Sequence, residues 1–294
     1  MHRSNLHQEN RSKRGHTVIV TLVIAVAVAI LLYAHGSAWW YAPLALVGII
    51  VAHIVIFGGL TFALTRAGRL QRDQASDHSH EGGIQLHSPR LYDVQARVCT
   101  LGHEKKLRQW TLALADVQPG KKVLDVGCGT GTLLIAAAER AGRKGDFHGV
   151  EPSAEMRAHA EQKAHEQGIQ LNVVDGSADH LPYPSGSFDA VFCTLAFHHL
   201  PPSIRKDSIR EMRRVLRAGG VAVIVDWQRP KSFLRALASP VFLVYLVHSF
   251  APRDAQLDEA GISAQMKELG FNDISTQSFG PGGIIGAVVG RLAP

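Results

Sequence analysis

The chain has 294 residues, of which 46% are hydrophobic and 19% charged, with mean hydropathy +0.03 and a formal charge of +6. That balance excludes a wholly disordered chain. The distribution behind it, with no Lys, Arg, Asp or Glu between Gly15 and Thr65, excludes a simple soluble globule and, because only this region is apolar enough for a bilayer, a polytopic transporter.

Residues 1–16 carry Arg3, Arg11, Lys13 and Arg14 against Glu9, and read as a basic cytoplasmic tail. Residues 17–65 read as a transmembrane hairpin. The run Thr17–Ala34, as a helix, spans roughly 27 Å, close to the hydrocarbon thickness. His35-Gly36-Ser37 breaks it, and Trp39, Trp40 and Tyr41 follow at the depth amphipathic aromatics prefer. A second apolar run, Pro43–Leu64, ends before Arg66, Arg69 and Arg72. Cations flank both outer ends and none sits in the turn, so the positive-inside rule expects a two-helix membrane protein with both termini, and with them residues 66–294, in the cytoplasm. A cleaved signal peptide is the competing reading; the length of the first run and the immediate second run count against it. His53 reads as a residue facing the partner helix. Residues 66–90 form a polar linker with Gly82-Gly83 and His78, His80 and His87, a solvated tether in which no thiol or carboxylate completes a metal site. Cys99, Cys128 and Cys193 form neither a disulfide framework nor a zinc knuckle, and no metal is expected.

The stretch from Lys122 to Gly131, Lys-Val-Leu-Asp-Val-Gly-Cys-Gly-Thr-Gly, is the most informative. An apolar strand ends in an acid, glycines follow at alternate positions, and a helix begins at Thr132 and runs to Arg140. Glycines allow a sharp turn and close approach of a ligand to the backbone at the carboxyl end of a parallel sheet. The spacing departs from the dinucleotide fingerprint, with Thr132 where a glycine belongs, and there is no Gly-Lys-Ser/Thr ending of a P-loop. Asp125 would repel a pyrophosphate and suits a cationic or donor-rich ligand, pointing to a cofactor with an ammonium and a sulfonium in place of phosphates.

These residues resemble the glycine-rich motif of class I S-adenosylmethionine-dependent methyltransferases, and residues 91–294 resemble the ubiquinone/menaquinone-type (type 11) branch of that family. Leu91-Tyr92-Asp93 is similar to the branch's leading Tyr-Asp helix. His148–Glu151 reads as a second strand ending in the acid that grips ribose hydroxyls, with Pro152 next and Ser153 capping a helix from Ala154 to Gln167. Leu171–Val174 reads as a third strand. The loop Asp175–Pro182 resembles the family's adenine loop, but Ser177 stands where an Asp often contacts the adenine amino group; Ala178 follows, and Asp175 or Asp179 is expected to assist. Ser187–Pro201 reads as the fourth strand and the loop after it, carrying Thr194, His198 and His199. Arg210–Leu216 is expected to be helical and closed by Gly219-Gly220. Val221–Asp226 reads as a fifth strand, and Phe271–Phe279 with Ile284–Val289 as the terminal antiparallel pair.

The resemblance implies an α/β, Rossmann-like, seven-stranded, mostly parallel sheet with a terminal antiparallel strand, preceded by two transmembrane helices. It implies S-adenosyl-L-methionine as cofactor, held by Asp125, Gly127, Cys128, Gly129, Thr130, Gly131, Glu151, Pro152, Ser177, Ala178 and Thr194. Methyl transfer from a sulfonium asks the protein mainly to position the acceptor and exclude water. His198 and His199 are the catalytic candidates, as a proton acceptor or as support for the loop. Cys128 reads as a small filler. The segment 233–250 reads as an apolar lid over the acceptor or as a buried cap. The anchor favours a hydrophobic or lipid-like acceptor drawn from the bilayer, and the absence of a basic–aromatic strip disfavours nucleic acid. A catalytically silent scaffold with the same fold is the alternative, and an oxidoreductase is disfavoured by the glycine spacing.

Overall fold

In the computed structural model the described residues are Pro89, Tyr92, Asp93, 103–232, Arg235 and 257–294. The expected hairpin 17–65, most of the linker 66–90 and the lid 233–250 apart from Arg235 lie outside them. Among the described residues no helix is long and apolar enough to cross a membrane.

The elements run α1 (Glu104–Leu114), β1 (Lys121–Val126), α2 (Thr132–Arg140), β2 (Gly145–Val150), α3 (Ala154–His165), β3 (Asn172–Val174), β4 (Phe188–Thr194), a short 3-10 turn (Phe197–His199), α4 (Pro202–Val215), β5 (Leu216–Trp227), α5 (Glu259–Glu268), β6 (Asn272–Phe279) and β7 (Ile285–Arg291). They build a seven-stranded sheet in the order β3-β2-β1-β4-β5-β7-β6. All neighbouring pairs are parallel except those of β7, which runs antiparallel to both β5 and β6. This is the expected Rossmann-like sheet with one antiparallel strand near its end.

The central strands read as they do because both faces are covered. Along β1, β4 and β5 alternate side chains go to opposite faces. Val123, Phe192 and Val223 join Leu107, Leu112, Leu134 and Ala137 of α1 and α2 on one face. Leu124, Val191 and Ile224 join Ile209, Met212, Ile262 and Met266 of α4 and α5 on the other. Leu124 is fully buried, so truncation to Ala costs about 2–5 kcal/mol.

Local chemistry sets the ends. Ser153 caps α3 as expected, its hydroxyl accepting from the Met156 amide at 3.4 Å. Pro202 opens α4 at a position where its missing N–H costs nothing. Two expectations are corrected here. The helix begins at Pro202 rather than Arg210, and Gly219-Gly220 do not close it: α4 ends at Val215 and β5 starts at Leu216. The glycines lie inside β5, where its register to β4 shifts between Phe188 and Ala190. A Cβ on Gly220 would lie 2.8 Å from the Arg217 carbonyl, so the irregular strand requires the glycine. Helix α1 was not anticipated.

Candidate active site

Strand order reverses between β1 and β4, the topological switch point at which α/β sheets bind ligands beyond their carboxyl ends. A cavity of about 240 Å³ lies there. Its wall is built by the loops after β1, β2, β3 and β4, the start of α4, α1 and the pair Tyr92-Asp93.

Gly127, Gly129 and Gly131 all have positive φ, at 70°, 53° and 68°, which L side chains adopt only with strain. Gly131 is the N-cap of α2, and a Cβ there would sit 2.9 Å from Ala160 Cβ. At Gly129 a Cβ would meet nothing within 4 Å, although the residue lines the cavity. The first glycine is needed by the fold, whereas the space at the second is open to a ligand.

Two carboxylates face the same cavity. Asp125 is 3% exposed and its Oδ1 accepts no hydrogen bond. Glu151 is tied to the loop by one bond at each oxygen: Oε2 accepts from the Gly129 amide and Oε1 from the Ser153 amide, both at 3.0 Å. Burial, with the Glu151 charge adding to it, pushes the Asp125 carboxyl well above its usual range. Burial also raises Glu151, against the pull of its two amide donors. A buried, unpartnered carboxylate beside a second one is costly unless a donor arrives. A ligand bringing an ammonium group and hydroxyls supplies what both lack.

Asp93 is fastened to the glycine loop and to the helix after β2. Its Oδ1 accepts from Thr130 Oγ1 at 2.6 Å, and its Oδ2 accepts from Lys163 Nζ at 2.9 Å and meets His159 Nε2 at 3.3 Å. Burial raises this carboxyl, but the bonds from Thr130 and Lys163 outweigh it and hold it below its usual value. Thr130 is thus a latch as well as part of the wall.

Further along the sheet edge the wall changes character. Leu195, Ala196, Leu200 and Ile204, with Leu107 and Leu133, make it apolar, and His199 and Tyr92 join them. Leu195 holds φ 53°, which costs a leucine on the order of 1–2 kcal/mol, and its amide is pinned to the Val225 carbonyl at 2.8 Å. Thr194 lines the cavity with a buried Oγ1 that has no partner.

The sequence-derived residues Asp125, Gly127, Cys128, Gly129, Thr130, Glu151, Pro152, Ser177, Ala178 and Thr194 all line this one cavity, while Gly131 stands behind it in the turn into α2. The Cys128 side chain packs over Gly149, where an added Cβ would fall 2.5 Å from its sulfur, and burial pushes its thiol well up. The buried sulfur fills the space over Gly149 while the residue also lines the cavity. Ser177 donates to Asp179, and Asp175 pairs with Arg157 at 3.0 Å. Neither acid is on the cavity wall. The two histidines separate: His199 lines the cavity, and His198 turns to Asp226, with Nδ1 2.7 Å from Oδ1. Asp226 and the α1 residues Leu107 and Arg108 were missed. For Asp226 a signal existed, since it ends an apolar strand as Asp125 does.

Such a site, at the switch point of a doubly wound sheet with an unpartnered carboxylate beside a second one, suits a ligand rich in donors and cationic groups. A methyltransferase-domain family model matches residues 123–220. The chain is 33% identical over 160 residues to a demethylmenaquinone methyltransferase of Bacillus velezensis, covering 54% of this chain and 68% of that protein. It is 33% identical over 205 residues to a demethylmenaquinone methyltransferase of a Geobacillus species, covering 64% of this chain and 86% of that protein. In fold it is similar to a SAM-dependent methyltransferase from Aquifex aeolicus, with TM-score 0.52 and 20% identity, covering 70% of this chain and all of that one. A methyltransferase-fold protein from Methanococcus maripaludis aligns with TM-score 0.54 and 13% identity over 72% of this chain and 98% of that one. The chain belongs to the class I S-adenosylmethionine-dependent methyltransferases. It is an enzyme, and its cofactor is S-adenosylmethionine.

Proposed function

We propose that the enzyme is anchored to a membrane and methylates a small, hydrophobic, quinone-like acceptor. The observation that carries the acceptor is the apolar part of the cavity wall after β4, Leu195, Ala196, Leu200 and Ile204, joined by His199. Demethylmenaquinone, the substrate for which the relatives are named, has that character. The apolar runs Thr17–Ala34 and Pro43–Leu64 support an anchor that would concentrate a bilayer-resident acceptor at the site.

When bound, S-adenosylmethionine supplies a methyl group already activated on a sulfonium. Asp125 attracts the cationic end of the cofactor, and Glu151 has capacity left on each oxygen for ribose hydroxyls. Pro152 and Ala178 offer apolar surface to a base, and the unpartnered Thr194 hydroxyl is available to the ligand. Leu107, Leu200 and Ile204 hold the acceptor and exclude water. His199 takes the proton that an acceptor hydroxyl gives up as its ring gains nucleophilic character.

The test uses full-length protein in liposomes with methyl-labelled S-adenosylmethionine and a short-chain naphthohydroquinone, with Gly129→Val as control. Label in the organic phase that needs Gly129 supports the reading. Label confined to water-soluble or protein products, with the cofactor still bound, contradicts it.

A further inference from the structure

Asp226 is 1% exposed at the carboxyl end of β5 and is not on the cavity wall. It is engaged on both oxygens: Oδ2 accepts from the His198 amide at 2.8 Å, and Oδ1 accepts from the Trp227 amide at 2.8 Å and meets His198 Nδ1 at 2.7 Å. A carboxylate oxygen accepts, so Nδ1 carries the hydrogen and the imidazole is held in one tautomer and one orientation. The rings of His198 and His199 then lie 3.8 Å apart, centroid to centroid, tilted by 42°. Arg205 completes the frame by donating to the Leu200 carbonyl at 2.9 Å. The buried acid therefore reaches the cavity in two steps, through a fixed imidazole to the histidine on the wall.

We infer that Asp226 is a positioning residue for methyl transfer: by fixing His198, it sets the orientation and proton affinity of His199 against the acceptor. A plain loop anchor would need only the bond to the His198 amide. The second bond, to the ring, orients a side chain whose outer face supports another imidazole. The inference rests on the reading that His199 meets the acceptor. The step it serves balances simply: the acceptor hydroxyl's proton goes to a His199 ring nitrogen, the new bond forms from acceptor to methyl, and the electron pair of the broken methyl–sulfur bond stays on sulfur.

The test compares wild type, Asp226→Asn, His199→Ala and the double variant, as full-length protein in detergent, with short-chain naphthohydroquinone as acceptor. Cofactor affinity by calorimetry is unchanged in all four. His199→Ala loses the roughly 10²–10⁴-fold in kcat of a general base, and Asp226→Asn loses at least about tenfold. In the His199→Ala background Asp226→Asn costs nothing further. A purely structural acid gives additive losses or a lower cofactor affinity, and either overturns the inference. Nitrogen NMR of histidine-labelled protein reads the same claim without an acceptor. Asp226→Asn shifts the ring signals of both His198 and His199, and unchanged His199 signals overturn it. If wild type leaves the naphthohydroquinone unmethylated, the acceptor reading fails and the NMR result alone decides the positioning. Should Asp226→Asn not fold, His198→Gln keeps a donor for Asp226, removes the ring contact, and shifts the His199 signals if the inference holds.

Discussion

Asp125 and Asp189 are buried aspartates in adjacent strands of one sheet, at opposite edges, and are 3% and 8% exposed. Asp189, at the amino edge, is fully engaged: it accepts from Lys121 Nζ at 3.1 Å and the Lys122 amide at 2.8 Å, and pairs with Arg217. Asp125, at the carboxyl edge, leaves an oxygen unpartnered, and its neighbour Glu151 adds repulsion. The amino edge is finished when the chain folds, whereas the carboxyl edge is finished only when a ligand arrives. Stability at one edge and binding at the other should therefore separate under mutation.

The largest separation is expected among the glycines. Gly131→Val forces a branched residue to φ 68° and into Ala160. The conformation costs about 1–2 kcal/mol and the overpacking about 1–3 kcal/mol, read as a large fall in Tm. At Gly129 an added Cβ meets no atom within 4 Å, so Gly129→Val is expected to lose mainly the conformational part while cofactor binding by calorimetry disappears. Equal loss of Tm in the two variants breaks the distinction. Next comes Asp189→Ala. It orphans the Lys122 amide, for about 1–3 kcal/mol of stability in denaturant melts, and leaves cofactor affinity intact. The half-exposed Lys121 and Arg217 add little. Thr130→Val is smaller, about 1 kcal/mol, because the loss is the hydroxyl's bond to Asp93 and its contact with the Thr132 hydroxyl.

The pH dependence is the smallest effect and sharpens the same contrast. The Asp125 carboxyl is raised in the folded chain, so the fold takes up protons more readily than the unfolded chain there. This group's contribution to stability falls as pH rises through its folded value and is regained below it, down to about pH 4. Cofactor affinity moves the opposite way, weakening as the carboxylate is protonated. The difference in Tm between wild type and Asp125→Asn, followed from pH 8 to 5, should shrink with falling pH, and a constant difference would exclude the titration.

Much of the binding edge was legible in the sequence, because its residues sit where a strand must end. Asp125 and Glu151 each follow an apolar run, and the alternate glycines admit few other conformations. What was not legible depends on contacts distant in sequence. Asp93 reaches Thr130 and Lys163 across the fold, and Asp226 reaches back to His198. Nothing local in α1, rich in Lys and Arg, shows that Leu107 and Arg108 close the cavity. Gly219-Gly220 were misleading for a physical reason: the pair that commonly ends a helix also permits an irregular strand, and only pairing with β4 selects the latter. Ser177 shows its partner, Asp179, only in three dimensions.

The most direct test is to titrate S-adenosylmethionine into wild type and Asp125→Asn, with thermal melts of both cofactor-free proteins. An unpartnered buried carboxylate that awaits the cofactor predicts an affinity loss of roughly 10–100-fold, from the about 1.5–3 kcal/mol of a charge-assisted bond, and a Tm equal to or above wild type. Equal affinity, or a fall in Tm with affinity retained, would mean that Asp125 serves the fold as Asp189 does and that the cofactor is held elsewhere.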